Sequence, residues 1–241
     1  MQKYNIVDFW NENGYYVCDL LSEDDISLFQ DEAQKLLDKR GEDARPFHEP
    51  SKQSKLFDSL FKHTKLIQIV ELLMNDKIDG LSTWMYYKPP GELGRDVHQN
   101  TFYTKTNVGD IINTSVAFDD ADIENGGLYV YPGSHNEWTL PINIDEDRLL
   151  TNPDDWRNER GKPCIIPGNY VDGEWVEKYE KVYLNSKAGQ VTFLHSNIIH
   201  GSDKNKSVDR WRRAFLANYV RKGAYFYEGG HFKRERVNVY G

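Results

Sequence analysis

The residues of this chain best suited to chemistry are two histidines, His98 in Val-His-Gln-Asn and His200 in Ile-Ile-His-Gly-Ser. Neutral imidazoles are common metal ligands. Non-haem Fe(II) oxygenases hold iron with two histidines and one carboxylate, and the remaining positions stay open for a co-substrate and O₂. The carboxylate normally lies two residues after the first histidine, where this chain has Asn100. The pattern therefore predicts a metal site with an unusual third position.

A strand over residues 97–104 would place these groups together, since side chains two apart on a strand share a face. His98 and Asn100 would then point the same way, and His200 would arrive from a distant strand folded back against the first. The same alternation makes Asp96 a candidate substitute ligand. Its position near the start of the strand favours a solvated loop acid instead.

Several segments, in order along the chain, resemble the phytanoyl-CoA dioxygenase family of 2-oxoglutarate-dependent oxygenases. The matching segments are 87–91 before the first histidine, 97–103 around it, 118–135 ending in Pro-Gly-Ser-His, and 193–214 around the second histidine. Together they cover most of residues 80 to 220. The resemblance implies Fe(II), 2-oxoglutarate and O₂ as cofactors and hydroxylation of an aliphatic C–H bond as the reaction.

The same resemblance assigns roles to individual residues where they match. His98 and His200 would be the iron ligands, with Asn100 at the third position, and Arg212 would bind the distal carboxylate of 2-oxoglutarate bidentately. The Ser202 hydroxyl would add a hydrogen bond to that carboxylate. Arg210 is the alternative anchor, whereas Arg213 should face away from Arg212 on a strand.

Asn100 leaves three interpretations open, because an amide offers iron a neutral oxygen in place of a charged one. The chain could be a working hydroxylase with a weak or water-filled third position. It could resemble halogenases, which put chloride in a vacated carboxylate site, although asparagine is bulkier than the residues they use. It could also be an inactivated or non-catalytic homologue that binds a metabolite.

The pattern of elements predicts an all-β core with flanking helices, namely a double-stranded β-helix or jelly-roll barrel in a single domain, 1–241. Residues 1–80 are expected to be mainly helical, with a capping box at Ser22 and Asp25 and a second helix through residues 66–73. Residues 81–220 carry β-branched and aromatic runs punctuated by glycine and proline.

A long insert over residues 141–180 is the candidate cover of the active site, because it is rich in charge and lacks a sustained period. Its Trp156, Arg157, Arg160, Tyr170 and Trp175 could close over a substrate or serve as anchors of a solvated surface loop.

Four further side chains are candidates for the pocket itself. Asn113, assigned to the cofactor side, and Ser115 lie in a part of the pocket where relatives often carry a tryptophan. Their smaller side chains favour a larger pocket or a more polar substrate. Trp84 and Tyr86 alternate on one strand and could line the same pocket or serve as core aromatics.

Composition limits the partners. A net charge of −8 without a basic block disfavours nucleic acid, anionic membranes and a CoA thioester, and favours a small polar metabolite as the substrate. The start of the chain shows no apolar leader, so a cytoplasmic location is expected. Cys18 and Cys164 are too few for a disulfide framework. The sequence leaves the oligomeric state open.

Overall fold

The computed structural model describes residues 5–41, 46–144, 169–171, 173–229 and 233–240 of the 241-residue chain. The helices are α1 Ile6–Asn13, α2 Glu23–Arg40, α3 Lys55–Phe61, α4 Thr64–Met74, α5 Asn100–Thr104 and α6 Gly173–Val176. The strands are β1 Tyr15–Asp19, β2 Phe47–His48, β3 Ile78–Lys88, β4 Arg95–His98, β5 Ile111–Ala117, β6 Leu128–Val130, β7 Ile142–Ile144, β8 Asn169–Val171, β9 Val182–Tyr183, β10 Gln190–His195, β11 His200–Ser202 and β12 Arg212–Arg221. Short 3₁₀ turns cover Pro50–Lys52 and Ser134–Asn136.

The two helices predicted from the sequence are both present. Ser22 caps α2 by accepting a hydrogen bond from the Asp25 backbone, while the Asp25 side chain accepts one from the Ser22 backbone. The capping box is therefore confirmed, and α4 covers the second predicted helix. The N-terminal part also supplies β1, an edge strand of the main sheet.

All strand pairings among the described residues are antiparallel, and they form two principal sheets. The larger has the order β1-β10-β5-β12-β3-β2, and the smaller has the order β4-β11-β6-β9. A separate pair joins β7 to β8. This arrangement confirms the prediction of a β-rich core with flanking helices.

One face of the larger sheet packs against the helices. Phe215 of β12 and Phe193 of β10 are fully buried there, together with Phe57 and Leu66 of the helices. The Phe57 and Phe215 rings stack with centroids 5.3 Å apart. Because alternate residues point to opposite faces, the intervening residues of these strands face the smaller sheet.

The space between the two sheets contains an apolar cluster at one end and polar residues elsewhere. Val130 of β6 and Leu194 of β10 belong to one buried cluster with Leu184 and Ile198. The two sheets are thus held face to face, and the polar part of this space is where the site residues meet. Within the described residues, no helix is both long and apolar enough to cross a membrane.

Candidate functional site

His98 and His200 lie side by side, on neighbouring strands of the smaller sheet. His98 ends β4 and His200 begins β11, and the two residues are direct partners in the antiparallel register. Their ring centroids are 4.3 Å apart, and both side chains are buried. The two histidines that the sequence singled out are therefore brought to one point.

Both imidazoles are oriented by the backbone two residues before them. Nδ1 of His98 lies 2.7 Å from the Asp96 carbonyl oxygen, and Nδ1 of His200 lies 2.9 Å from that of Ile198. A carbonyl can only accept, so Nδ1 carries the proton and Nε2 keeps its lone pair. Burial lowers the pKa of His98 well below its usual value and that of His200 to about 4, so both rings are neutral.

Asn100 reaches the same point by a different route from the one predicted. The expected strand over 97–104 is wrong, because β4 ends at His98 and α5 begins at Asn100. The turn into the helix still brings Asn100 Nδ2 to 3.4 Å from His200 Nε2. A half-turn of the amide would present Oδ1 instead.

The alternation that made Asp96 a candidate ligand is interrupted by a β-bulge. His98 pairs with His200, but Ser202 pairs with Arg95. The two paired positions are three residues apart on β4 and two residues apart on β11, so β4 contains one extra residue. Side chains of directly paired residues share a face. Arg95, rather than Asp96, therefore lies on the face of the two histidines, and the prediction that positions 96, 98 and 100 share a face is wrong.

Arg212 is buried at the start of β12, with only 9% of its surface exposed. Its Nη1 donates a hydrogen bond of 3.1 Å to the Gly126 carbonyl oxygen. Burial lowers the pKa of Arg212 to about 10, and no carboxylate lies within ion-pair distance among the residues that the structure describes. A buried guanidinium of this kind is suited to an anionic ligand.

Lys88 is a second buried cation at the same place, and sequence reasoning missed it as a site residue. It is the direct strand partner of Arg212. Its Nζ donates to Ser202 Oγ at 3.0 Å and to the Gly126 and Asp203 carbonyl oxygens. Burial and the nearby Arg212 charge lower the pKa of Lys88 to about 7. The signal available in the sequence was its position in the Lys-Pro-Pro-Gly turn.

The two neighbouring arginines have other roles. Arg210 is on the surface and contacts Asp122 and Glu124. Arg213 makes a double contact with Asp119 through Nε and Nη2, on the other face of the strand from Arg212. The structure therefore favours Arg212 over Arg210 as the anion-binding residue.

The predicted pocket residues share the sheet face that carries Arg212 and Lys88. Tyr86 pairs with Ala214 and Ser115 pairs with Leu216. Ala214 and Leu216 are two and four residues after Arg212 on β12, so they and their partners lie on the same face as Arg212. Trp84 and Asn113 follow on the same face, and Asn113 Nδ2 is buried with no hydrogen-bond partner among the described atoms. Asn113 thus has an unused donor on the face that looks toward the smaller sheet.

The donor set fits a divalent metal of the iron type. Both imidazoles are neutral and buried and keep a lone pair on Nε2, which is the form in which histidine coordinates a divalent metal. His98, His200 and Asn100 could provide two nitrogens and one amide oxygen. In the part of the chain that the structure describes, no cluster of three His, Cys, Asp or Glu side chains is present, so the third ligand is not a carboxylate of these residues.

The predicted cover is described only at its two ends. β7 and β8 pair with each other, and Trp175 of α6 packs edge-on against Trp138 with ring centroids 5.3 Å apart. Trp156, Arg157 and Arg160 lie outside the described residues, as does Cys164, and for Tyr170 only the backbone is described.

Comparison with known proteins agrees with this geometry. The family model described as Phytanoyl-CoA dioxygenase (PhyH) matches residues 10–214. The peroxisomal phytanoyl-CoA dioxygenase of Bos taurus is 25% identical over 266 residues, covering 95% of this chain and 72% of that protein. An L-proline trans-4-hydroxylase of Streptomyces griseoviridis is 29% identical over 113 residues, covering 46% of this chain and 41% of that protein.

A solved structure shows that the fold is shared over nearly the whole chain. The epimerase SnoN, in complex with Fe³⁺, alpha-ketoglutarate and nogalamycin RO, superposes with a TM-score of 0.72 at 18% identity. The match covers 98% of this chain and 94% of that one.

Proposed function

The chain belongs to the phytanoyl-CoA dioxygenase family of non-haem iron- and 2-oxoglutarate-dependent oxygenases, and from this premise we propose that it hydroxylates an aliphatic C–H bond of a small polar metabolite. We interpret its two facing antiparallel sheets as the double-stranded β-helix of that family. The observation that carries the proposal is the paired arrangement of His98 with His200 and of Lys88 with Arg212.

In this proposal each pair of residues binds one partner. His98 and His200 would hold Fe(II) through Nε2, and the Asn100 amide would provide a weak third ligand or leave a water in place. Arg212 and Lys88 bind the distal carboxylate of 2-oxoglutarate, because both are buried cations on adjacent strands and Ser202 Oγ is hydrogen-bonded to Lys88. When bound, iron supplies the oxidative chemistry with O₂ and 2-oxoglutarate, and the protein positions the C–H bond.

The position of Asn100 favours a hydroxylase over the halogenase-like alternative. A chloride would need the third position to be vacated, yet the Asn100 amide lies 3.4 Å from His200 Nε2. The side chain therefore occupies the space that a small residue would leave open. Asn100 can accept a role as a weak neutral ligand without any rearrangement beyond rotation of its amide.

Anaerobic titration with Fe(II) and 2-oxoglutarate tests the proposal. We expect a visible charge-transfer band in the wild type that is lost in Arg212→Ala, since the anchor of the co-substrate is removed. Arg210→Ala is the matched control, because the Arg210 side chain lies on the surface beside Asp122, Glu124 and the Asp120 carbonyl oxygen, and it should keep the band. No band in the wild type would support a non-catalytic metabolite-binding protein instead.

A further inference from the structure

Arg95 is a cation beside the histidine pair that the proposed function does not use. The bulge in β4 turns it to the face of His98 and His200, opposite Ser202. It is half-buried, so its charge is partly withdrawn from water. A cation in this position would interact electrostatically with a ligand bound in front of the two imidazoles.

The contacts of Arg95 define one wall of that space. Its Nη2 donates a hydrogen bond of 3.3 Å to Tyr103 Oη, and its Cζ lies 5.7 Å from the centroid of that ring. The Tyr103 ring in turn packs edge-on against His98, with centroids 5.9 Å apart.

Arg95 lacks the acidic partner that four other arginines have. Arg210, Arg213, Arg221 and Arg236 each contact an aspartate or glutamate. Among the described residues no carboxylate lies within ion-pair distance of Arg95, and its side-chain hydrogen bond goes to a neutral phenol. A half-buried guanidinium left in this state is suited to a carboxylate, which it can bind with two parallel hydrogen bonds.

We propose that Arg95, with the Tyr103 hydroxyl, binds the acidic group of the substrate, so that the substrate is a small carboxylic acid held in front of His98 and His200. This inference rests on the proposed function, since it concerns the substrate of the same site. Asn100 is consistent with it, because an amide adds no negative charge that would repel an acid. Proline, named as the substrate of one relative, is an acid of this kind.

Calorimetric titration tests the inference with Mn(II) in place of Fe(II) and with 2-oxoglutarate present. The probes are L-proline, L-valine and benzoate, each beside its primary amide. We expect at least one acid to bind more tightly than its amide, and Arg95→Met to weaken that acid about tenfold or more while leaving the amide unchanged. Arg95→Lys keeps the charge and should recover part of the loss, and Arg236→Met, distant on the surface, should match the wild type.

The outcomes separate this inference from the function on which it rests. If 2-oxoglutarate binds the wild type and Arg95→Met equally but no acid is preferred over its amide, the role of Arg95 is wrong and the oxygenase proposal stands. The role of Arg95 is also wrong if Arg95→Met binds the acids as tightly as the wild type. If 2-oxoglutarate fails to bind the wild type, both proposals are overturned.

Discussion

At the level of single residues, we expect Asn100 to limit how tightly the proposed site can hold a metal. It lies 3.4 Å from His200 Nε2 and offers at most a neutral oxygen. We expect Asn100→Asp to strengthen Fe(II) binding about tenfold or more, because a carboxylate brings a full negative charge to the cation. Competition between Fe(II) and a chelator of known affinity measures this change. Asn136→Asp, on an exposed turn, is the control, and an unchanged affinity in Asn100→Asp would exclude contact with the metal.

The lowered pKa of Lys88 predicts how stability and 2-oxoglutarate binding depend on pH. The pKa of Lys88 is about 7 in the folded protein, against an ordinary value of 10.5 in the unfolded chain. Between pH 7 and 10.5 the unfolded chain therefore carries a proton on this lysine that the folded protein lacks. This group therefore contributes stability that rises with pH across that window and is absent below it. A bound dianion would restore the ammonium form, so 2-oxoglutarate should bind with uptake of a proton near pH 8 and weaken at higher pH.

Calorimetry in two buffers with different ionisation heats checks that uptake. The apparent binding enthalpy should depend on the buffer in the wild type and lose this dependence in Lys88→Met. A binding enthalpy that is the same in both buffers for the wild type would show that Lys88 does not titrate with the ligand.

The sequence pointed to some residues of the candidate site and missed others for a physical reason. His98 and His200 were visible because their neighbours carry a recognisable pattern, and Arg212 because strand alternation separates it from Arg213. Lys88 and Arg95 were missed, since a lysine or arginine in a sequence is most often solvated. Only the fold shows that these two are withdrawn from water and lack an acid partner among the described residues.

At the level of elements, the approach of β4 to β11 depends on Gly94. A Cβ at this position would collide with the Ser202 carbonyl oxygen and lie 3.0 Å from Asp203 Cα. Both are backbone atoms, so β4 itself would have to move. We expect Gly94→Ala to lower the free energy of unfolding by about 2 kcal/mol and to weaken metal binding, because His98 and His200 would separate.

Gly173→Ala is the matched control, since a Cβ there meets no atom within 4 Å. Denaturant unfolding and metal titration on the two variants give the comparison. If Gly94→Ala kept the metal affinity of the wild type, the close pairing of these strands would not be what positions the histidines.

The elements also show where periodicity fails as a guide. The residues after His98 were expected to continue as a strand, but tertiary structure turns them into α5. The bulge in β4 is equally invisible in the sequence, because it arises from pairing with β11 rather than from a local preference. The capping box of α2 was predictable, since all of its atoms come from residues four positions apart or fewer.

At the level of the whole molecule, the chain order of helices followed by strands was enough to predict the layers. The pairing order of the strands was not, because β10 joins β1 to β5 through contacts between residues far apart in sequence. The role of the large sheet as a divider follows from that order. Its one face carries the helix-packed core, and its other face carries Lys88, Arg212 and Asn113.

This division predicts that stability and ligand binding can be changed separately. Phe57 is fully buried, and its ring contacts those of Phe29, Phe118 and Phe215 on the helix-packed side. Phe57→Ala should lower the free energy of unfolding by about 3–5 kcal/mol through the cavity that it leaves. Leu72→Ala, at a side chain that is 48% exposed, should change it by less than about 0.5 kcal/mol.

In both variants 2-oxoglutarate should bind with wild-type affinity at temperatures where the protein remains folded, because the site lies across the sheet from the cavity. Denaturant unfolding and calorimetry on the same preparations measure the two quantities. A loss of 2-oxoglutarate affinity in Phe57→Ala under folded conditions would show instead that the helical layer holds β3 and β12 in the register that brings Lys88 next to Arg212.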